Sequence, residues 1–72
     1  MLPSTKRHLE QCIEAEGTEY FEIEKLLLQK FLDRSRDQLA TPHSQLTAQN
    51  RKDMAEDILA IQSYLASHPA ES

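Results

Sequence analysis

The sequence predicts an all-α fold, an antiparallel helical hairpin preceded by a short N-terminal helical segment. Three observations predict it. Only one glycine and three prolines occur in 72 residues, while Leu, Ala, Gln, Glu and Lys, which lose little freedom in a helix, are abundant. Apolar side chains recur at helical spacing from Phe21 to Leu39 and again from Leu46 to Leu65. Between those stretches stands Ala40-Thr41-Pro42, a connector carrying a strong stop signal.

The first segment is expected over about 5–16. Ser4 or Thr5 supplies a capping oxygen, and Leu9, Cys12 and Ile13 follow at helical spacing. Gly17, at a cost of about 1 kcal/mol in a helix interior, breaks or bends the chain there. Thr18 offers a fresh N-cap. Glu19 and Glu22 come next, where carboxylates oppose the positive end of the helix dipole.

The second helix is expected over about 18–40, with Arg34 and Arg36 near its negatively polarised end. Pro42 cannot donate a backbone hydrogen bond and disfavours helix at Thr41, yet it suits the first turn of a new helix. Thr41 as N-cap and Pro42 at the first position would therefore open a third helix over about 42–67. Pro69 ends the ordered chain, and residues 1–4 and 69–72 are expected to fray. The whole is one small helical domain.

A tight connector between two long helices makes them antiparallel neighbours. Phe21, Leu28, Leu32 and Leu39 then meet Leu46, Met54, Ile58, Ile61 and Leu65, with Leu39 opposite Leu46. At about 100° per residue, Ile23, Leu27 and Phe31 form a second stripe beside the first. A hairpin covers each helix on one side only, so this stripe calls for another partner. Ile23, Leu27, Phe31, Leu59 and Tyr64 are the expected partner-binding residues.

Composition narrows the function. A formal net charge of −4 opposes a primary nucleic-acid binder, which needs clustered Lys and Arg to neutralise phosphates. No apolar run approaches the roughly 20 residues that span a bilayer, and no apolar stretch follows Lys6 and Arg7 as in a secretory signal. Cys12 is the only cysteine, which excludes an internal disulfide and fits a reducing cytoplasm. A chain this short gains little net stability from a lone core, so association is its expected supplement.

Residues 10–24 hold six glutamates and no basic residue. This is either a field that steers a basic partner or the solvated exterior of a small helix. His8 and Cys12 stand four residues apart, a spacing at which two side chains can share a metal, but two ligands do not make a zinc site. His8 could serve as a base for Cys12, yet no third group or oxyanion donor accompanies them. Cys12 reads better as a small buried hydrophobe. No catalytic, cofactor or metal motif is visible, and the protein is expected to be non-enzymatic. Tyr64 is either an anchor for a partner groove or the cover of its own core.

With the hairpin, the Thr41-Pro42 junction and the closing Ala60-Ile61-Gln62-Ser63-Tyr64-Leu65 in view, the chain resembles the YscE-like co-chaperones of type III secretion needle subunits. The resemblance runs from Leu9-Glu10 through Arg36-Asp37-Gln38-Leu39 to Tyr64 and rests on length, pattern and scattered identities. It implies a bacterial cytoplasmic hairpin that forms a heterodimer with a tetratricopeptide-like helical-repeat chaperone. The pair would keep a needle subunit unpolymerised before export. The alternative is a homodimer, two hairpins burying the same stripes as a four-helix bundle, in a regulatory or antitoxin-like adaptor.

Overall fold

The computed structural model describes residues 1–41 and 45–68. Three helices follow in order: α1 (Pro3–Ala15), α2 (Phe21–Ala40) and α3 (Ala48–Ser67). Helices α2 and α3 pack as a hairpin, and α1 packs along α2 and meets α3 through contacts near its two ends. The start of α1 sits beside Asp57 and its end beside His68, so α1 runs along α3 in the same direction and antiparallel to α2.

The element boundaries differ from the sequence reading, each for a local reason. Helix α1 starts at Pro3, earlier than Ser4 or Thr5 would cap it; Pro3 occupies the first turn, where its missing N–H costs nothing. Thr5 is buried inside the helix. Residues 3 and 4 are thus helical, while residues 69–72 lie outside the described residues.

Gly17 breaks the chain. Glu16 has φ −56° and ψ 133°, Gly17 has φ +81°, and the Thr18 amide donates to the Ala15 carbonyl at 3.0 Å. This is a type II turn, whose third residue requires positive φ and therefore favours glycine. Thr18 serves the turn rather than capping α2: its hydroxyl donates to the Ala15 carbonyl at 2.6 Å and accepts from the Tyr20 amide at 3.2 Å. Tyr20 takes the N-cap position without a side-chain cap, and Glu22 and Glu24 occupy the first turn.

Thr41 closes α2 instead of opening α3. Its hydroxyl donates to the Asp37 carbonyl at 2.8 Å and its amide to the Gln38 carbonyl at 3.3 Å. The expected helix start at Pro42 falls outside the described residues, and 45–47 are not helical. Thr47 is the true N-cap, accepting from the Asn50 amide at 3.1 Å.

Leu28, Leu32, Ile58, Ile61 and Cys12 form the buried core, with Phe21, Leu39 and Leu65 packed against it. Leu28 and Leu32 meet Ile58 and Ile61 as anticipated, whereas Leu46, expected opposite Leu39, lies before α3 and outside this cluster. Cys12 shows that α1 supplies a third wall.

Two buried charges hold helix ends. Asp57 on α3, 4 % exposed, accepts from the Leu2 amide at 2.9 Å, placing a carboxylate at the positive end of α1. Lys25 on α2, 7 % exposed, donates to the His68 carbonyl at 3.2 Å, placing a cation at the negative end of α3. Lys25 also pairs with Glu22 at 2.9 Å and lies over the Phe21 ring.

Candidate functional site

Four side chains near the start of α2 stay in solvent although they are apolar or aromatic: Tyr20 (59 % exposed), Ile23 (54 %), Leu26 (65 %) and Leu27 (45 %). Ile23 and Leu27 are one turn apart, Tyr20 precedes Ile23 by three residues, and Leu26 stands beside them. Together they form one face, opposite Leu28 and Leu32. Lys30 and Arg34, both exposed, continue it toward the C-terminal half of the helix.

The five residues singled out from the sequence divide into two groups. Ile23 and Leu27 lie on this face, and Leu59 on α3 is 66 % exposed. Phe31 and Tyr64 are half-buried and packed against the core. Phe31 meets the His8 ring of α1, centroids 4.5 Å apart. Tyr64 stacks on His68 at 4.4 Å, and its buried hydroxyl has no hydrogen-bond partner among the described residues. Helix α1 thus covers the outer edge of the second stripe, which a two-helix hairpin would leave bare.

Leu26 and Tyr20 were missed by the projection. The signal for Leu26 was present: in Leu26-Leu27-Leu28, successive side chains point about 100° apart, so a single core face takes only one of them. Leu28 is the one that is buried.

Carboxylates surround the start of the face. Glu19 and Glu24 make no ion pair among the described residues, whereas Glu22 is paired with Lys25 and Glu16 with His68, Oε1 to Nε2, at 2.7 Å. The acidic segment is therefore partly internal wiring and partly open rim. An apolar centre with a charged rim is the anatomy of a protein-binding surface.

Chemistry is poorly supported elsewhere. A cleft of about 570 Å³ lies at one end of the bundle between Gly17, Phe21, Lys25 and His68. Of the hydroxyl and imidazole groups that line it, Thr18 is bonded to the Ala15 carbonyl and the His68 ring to Glu16 and the Tyr64 carbonyl. Among the described residues no group of three or more His, Cys, Asp or Glu side chains converges as a metal would require. Cys12 is fully buried, and burial, reinforced by the charges of Glu24 and Glu16, pushes its thiol above the ordinary value. A thiol held neutral is a poor nucleophile and a poor ligand. No described helix is long and apolar enough to cross a membrane.

No family model matches the chain, and neither does any curated protein or solved structure.

Proposed function

We propose that the chain is a non-enzymatic binding subunit that docks another protein on the face formed by Tyr20, Ile23, Leu26 and Leu27. The observation that carries this reading is the exposure of four large side chains within two turns of one helix. A contiguous apolar patch rimmed by charge is more costly in solvent than scattered single residues, and it marks an interaction surface. Helix-in-groove pairing, read through anchors three, four and seven residues apart, suits such a face.

The partner proposed is a tetratricopeptide-like helical-repeat chaperone and, through it, a type III secretion needle subunit held unpolymerised in the bacterial cytoplasm. This finer identity rests on the resemblance of the hairpin and its closing Ile61 to Leu65 segment to the YscE-like co-chaperones. A groove between repeats would accept α2, and each protein would lose exposed apolar surface.

The test is capture of the tagged chain from its native cell at low salt, alongside an Ile23→Glu/Leu27→Glu variant, with mass spectrometry of what co-purifies. Recovery of a helical-repeat protein and a small needle-like subunit by the parent alone supports the reading. Equal recovery by the variant overturns the assigned face. A parent that emerges alone as a stable dimer, with a monomeric variant, transfers the face to the homodimeric regulator.

A further inference from the structure

We infer that α1 is a detachable cover, opening about Gly17 as a unit while the α2–α3 hairpin persists. This inference rests on the docking reading and adds its regulation: opening uncovers Phe31 and Tyr64 and extends the apolar face.

The asymmetry of the packing supports it. The buried apolar side chains of α2 and α3 are large, Leu28, Leu32, Met54, Ile58 and Ile61, whereas Leu9 of α1 is only half-buried against the core. Helix α1 contributes Thr5, Cys12 and Ala15 as its buried residues, all small. Less apolar area is therefore removed from water along α1, and the driving force for docking falls in proportion. The helix is thirteen residues long, a length at which an undocked helix is marginal in water.

Polar contacts make up part of the difference, and they sit at the two ends. At the start the Leu2 amide donates to Asp57, and at the close Glu16 meets His68 at 2.7 Å. Both anchors are on α3 and the packing of α1 is on α2, with His8 on Phe31, so opening parts α1 from both helices in one motion. The type II turn at Gly17 follows directly after the second anchor, and no side chain approaches the space its Cβ would occupy. Gly17, with no neighbour at its Cβ position, can change its dihedrals without a side-chain clash, as hinge residues do.

Opening of this sort is sub-global: a unit with few buried apolar contacts exchanges at lower free energy than the core. It also acts on the half-buried Phe31, whose ring lies on His8, and on Tyr64, whose buried hydroxyl lacks a partner among the described residues. A partner that binds the extended face better than the covered one shifts the chain toward the open form.

Cys12 reports the motion, being fully buried and the only cysteine. The full chain is mixed with excess 5,5′-dithiobis(2-nitrobenzoate). The Cys12 thiolate attacks the reagent disulfide, forming a mixed disulfide and releasing one thionitrobenzoate. Labelling is followed from zero urea into the transition and compared with the rate that global unfolding alone permits. The expected result is labelling well above that rate in zero urea, accelerated about tenfold or more by Asp57→Ala, which removes a charge-assisted bond. Glu16→Gln, which loosens the opposite end, should accelerate it in the same direction if Asp57→Ala does not fold. Labelling that tracks global unfolding in the parent and in the folded variants overturns the cover. No partner is needed, so excess labelling in a chain that binds nothing would keep the cover and discard the docking face.

Discussion

The Leu2 amide donates to the Asp57 carboxylate at 2.9 Å, joining residues 55 apart in the chain. The contact puts a buried negative charge at the N-terminus of α1, as Lys25 puts a buried positive charge at the C-terminus of α3. Each charge stabilises a neighbouring helix, not its own, so the two contacts bind tertiary structure together. Asp57→Ala should lower stability by about 1 to 3 kcal/mol, the range for a hydrogen bond to a charged group. Asp57→Asn, which keeps an acceptor, should cost less. Lys25→Met keeps the buried stem and loses the charge, and should cost about 1 kcal/mol. Urea denaturation measures all three; equal stability of Asp57→Ala and the parent would show that the contact adds nothing.

Gly17 provides a cleaner case, because backbone conformation and side-chain space separate. A Cβ at this position would meet no atom within 4 Å, and φ is +81°. Any penalty on Gly17→Ala therefore comes from the backbone alone, about 1 to 2 kcal/mol. Gly17→Asn should cost less, since Asn tolerates positive φ better. Chemical denaturation of both variants checks the order; an alanine as stable as the glycine would refute the turn assignment.

Stability should fall at alkaline pH. Burial and neighbouring carboxylates raise the Cys12 thiol above its ordinary 9.0, and burial followed by the charge of Glu16 pushes the Tyr64 phenol from 10.0 up to about 12. The unfolded chain releases these protons first, so the folded state binds more of them above about pH 9 and loses stability as pH rises. Below that both groups are protonated in either state and contribute no slope. The urea midpoint should decline from pH 9 to pH 11, and Tyr64→Phe should flatten the part above pH 10. At neutral pH that variant should lose no more than about 1 kcal/mol, since the hydroxyl makes no hydrogen bond of good geometry among the described residues and Glu16 interacts with it only weakly.

Substitutions at Leu27 and Phe31 should separate binding from folding. Leu27 is exposed and Phe31 packs on His8 and the core. Leu27→Glu should abolish partner binding and leave the melting temperature within a few degrees, since surface changes are usually within about 0.5 kcal/mol. Phe31→Glu should impair both, by burying a carboxylate against apolar side chains. Thermal unfolding beside a binding assay distinguishes them; a Phe31→Glu chain as stable as the parent would place that ring outside the core.

Much of the fold was legible because large residues at helical spacing announce α2 and α3: Leu28, Leu32, Ile58 and Ile61 fall on the core stripes of the sequence and are buried there. What the pattern hid has a physical cause in each instance. Thr41-Pro42 and Thr47 offer similar start signals, and they are separated by tertiary detail: Thr41 is bonded back to Asp37 and Gln38, whereas Thr47 accepts from the Asn50 amide. Helix α1 was legible as a helix but not as a third wall, because Thr5, Cys12 and Ala15 carry no strong apolar stripe. Asp57 and Lys25 look like surface residues until the helix ends beside them are known. The exposed apolar face was half visible: Ile23 and Leu27 follow from the projection, whereas Phe31 is covered by His8.

Hydroxyl-radical footprinting of the captured complex against the free chain tests the docking face most directly, since aromatic and aliphatic side chains react in proportion to their exposure. The account predicts that Tyr20, Ile23, Leu26 and Leu27 react in the free chain and are shielded in the complex. Unchanged labelling at those four, with shielding confined to other surfaces, would contradict it.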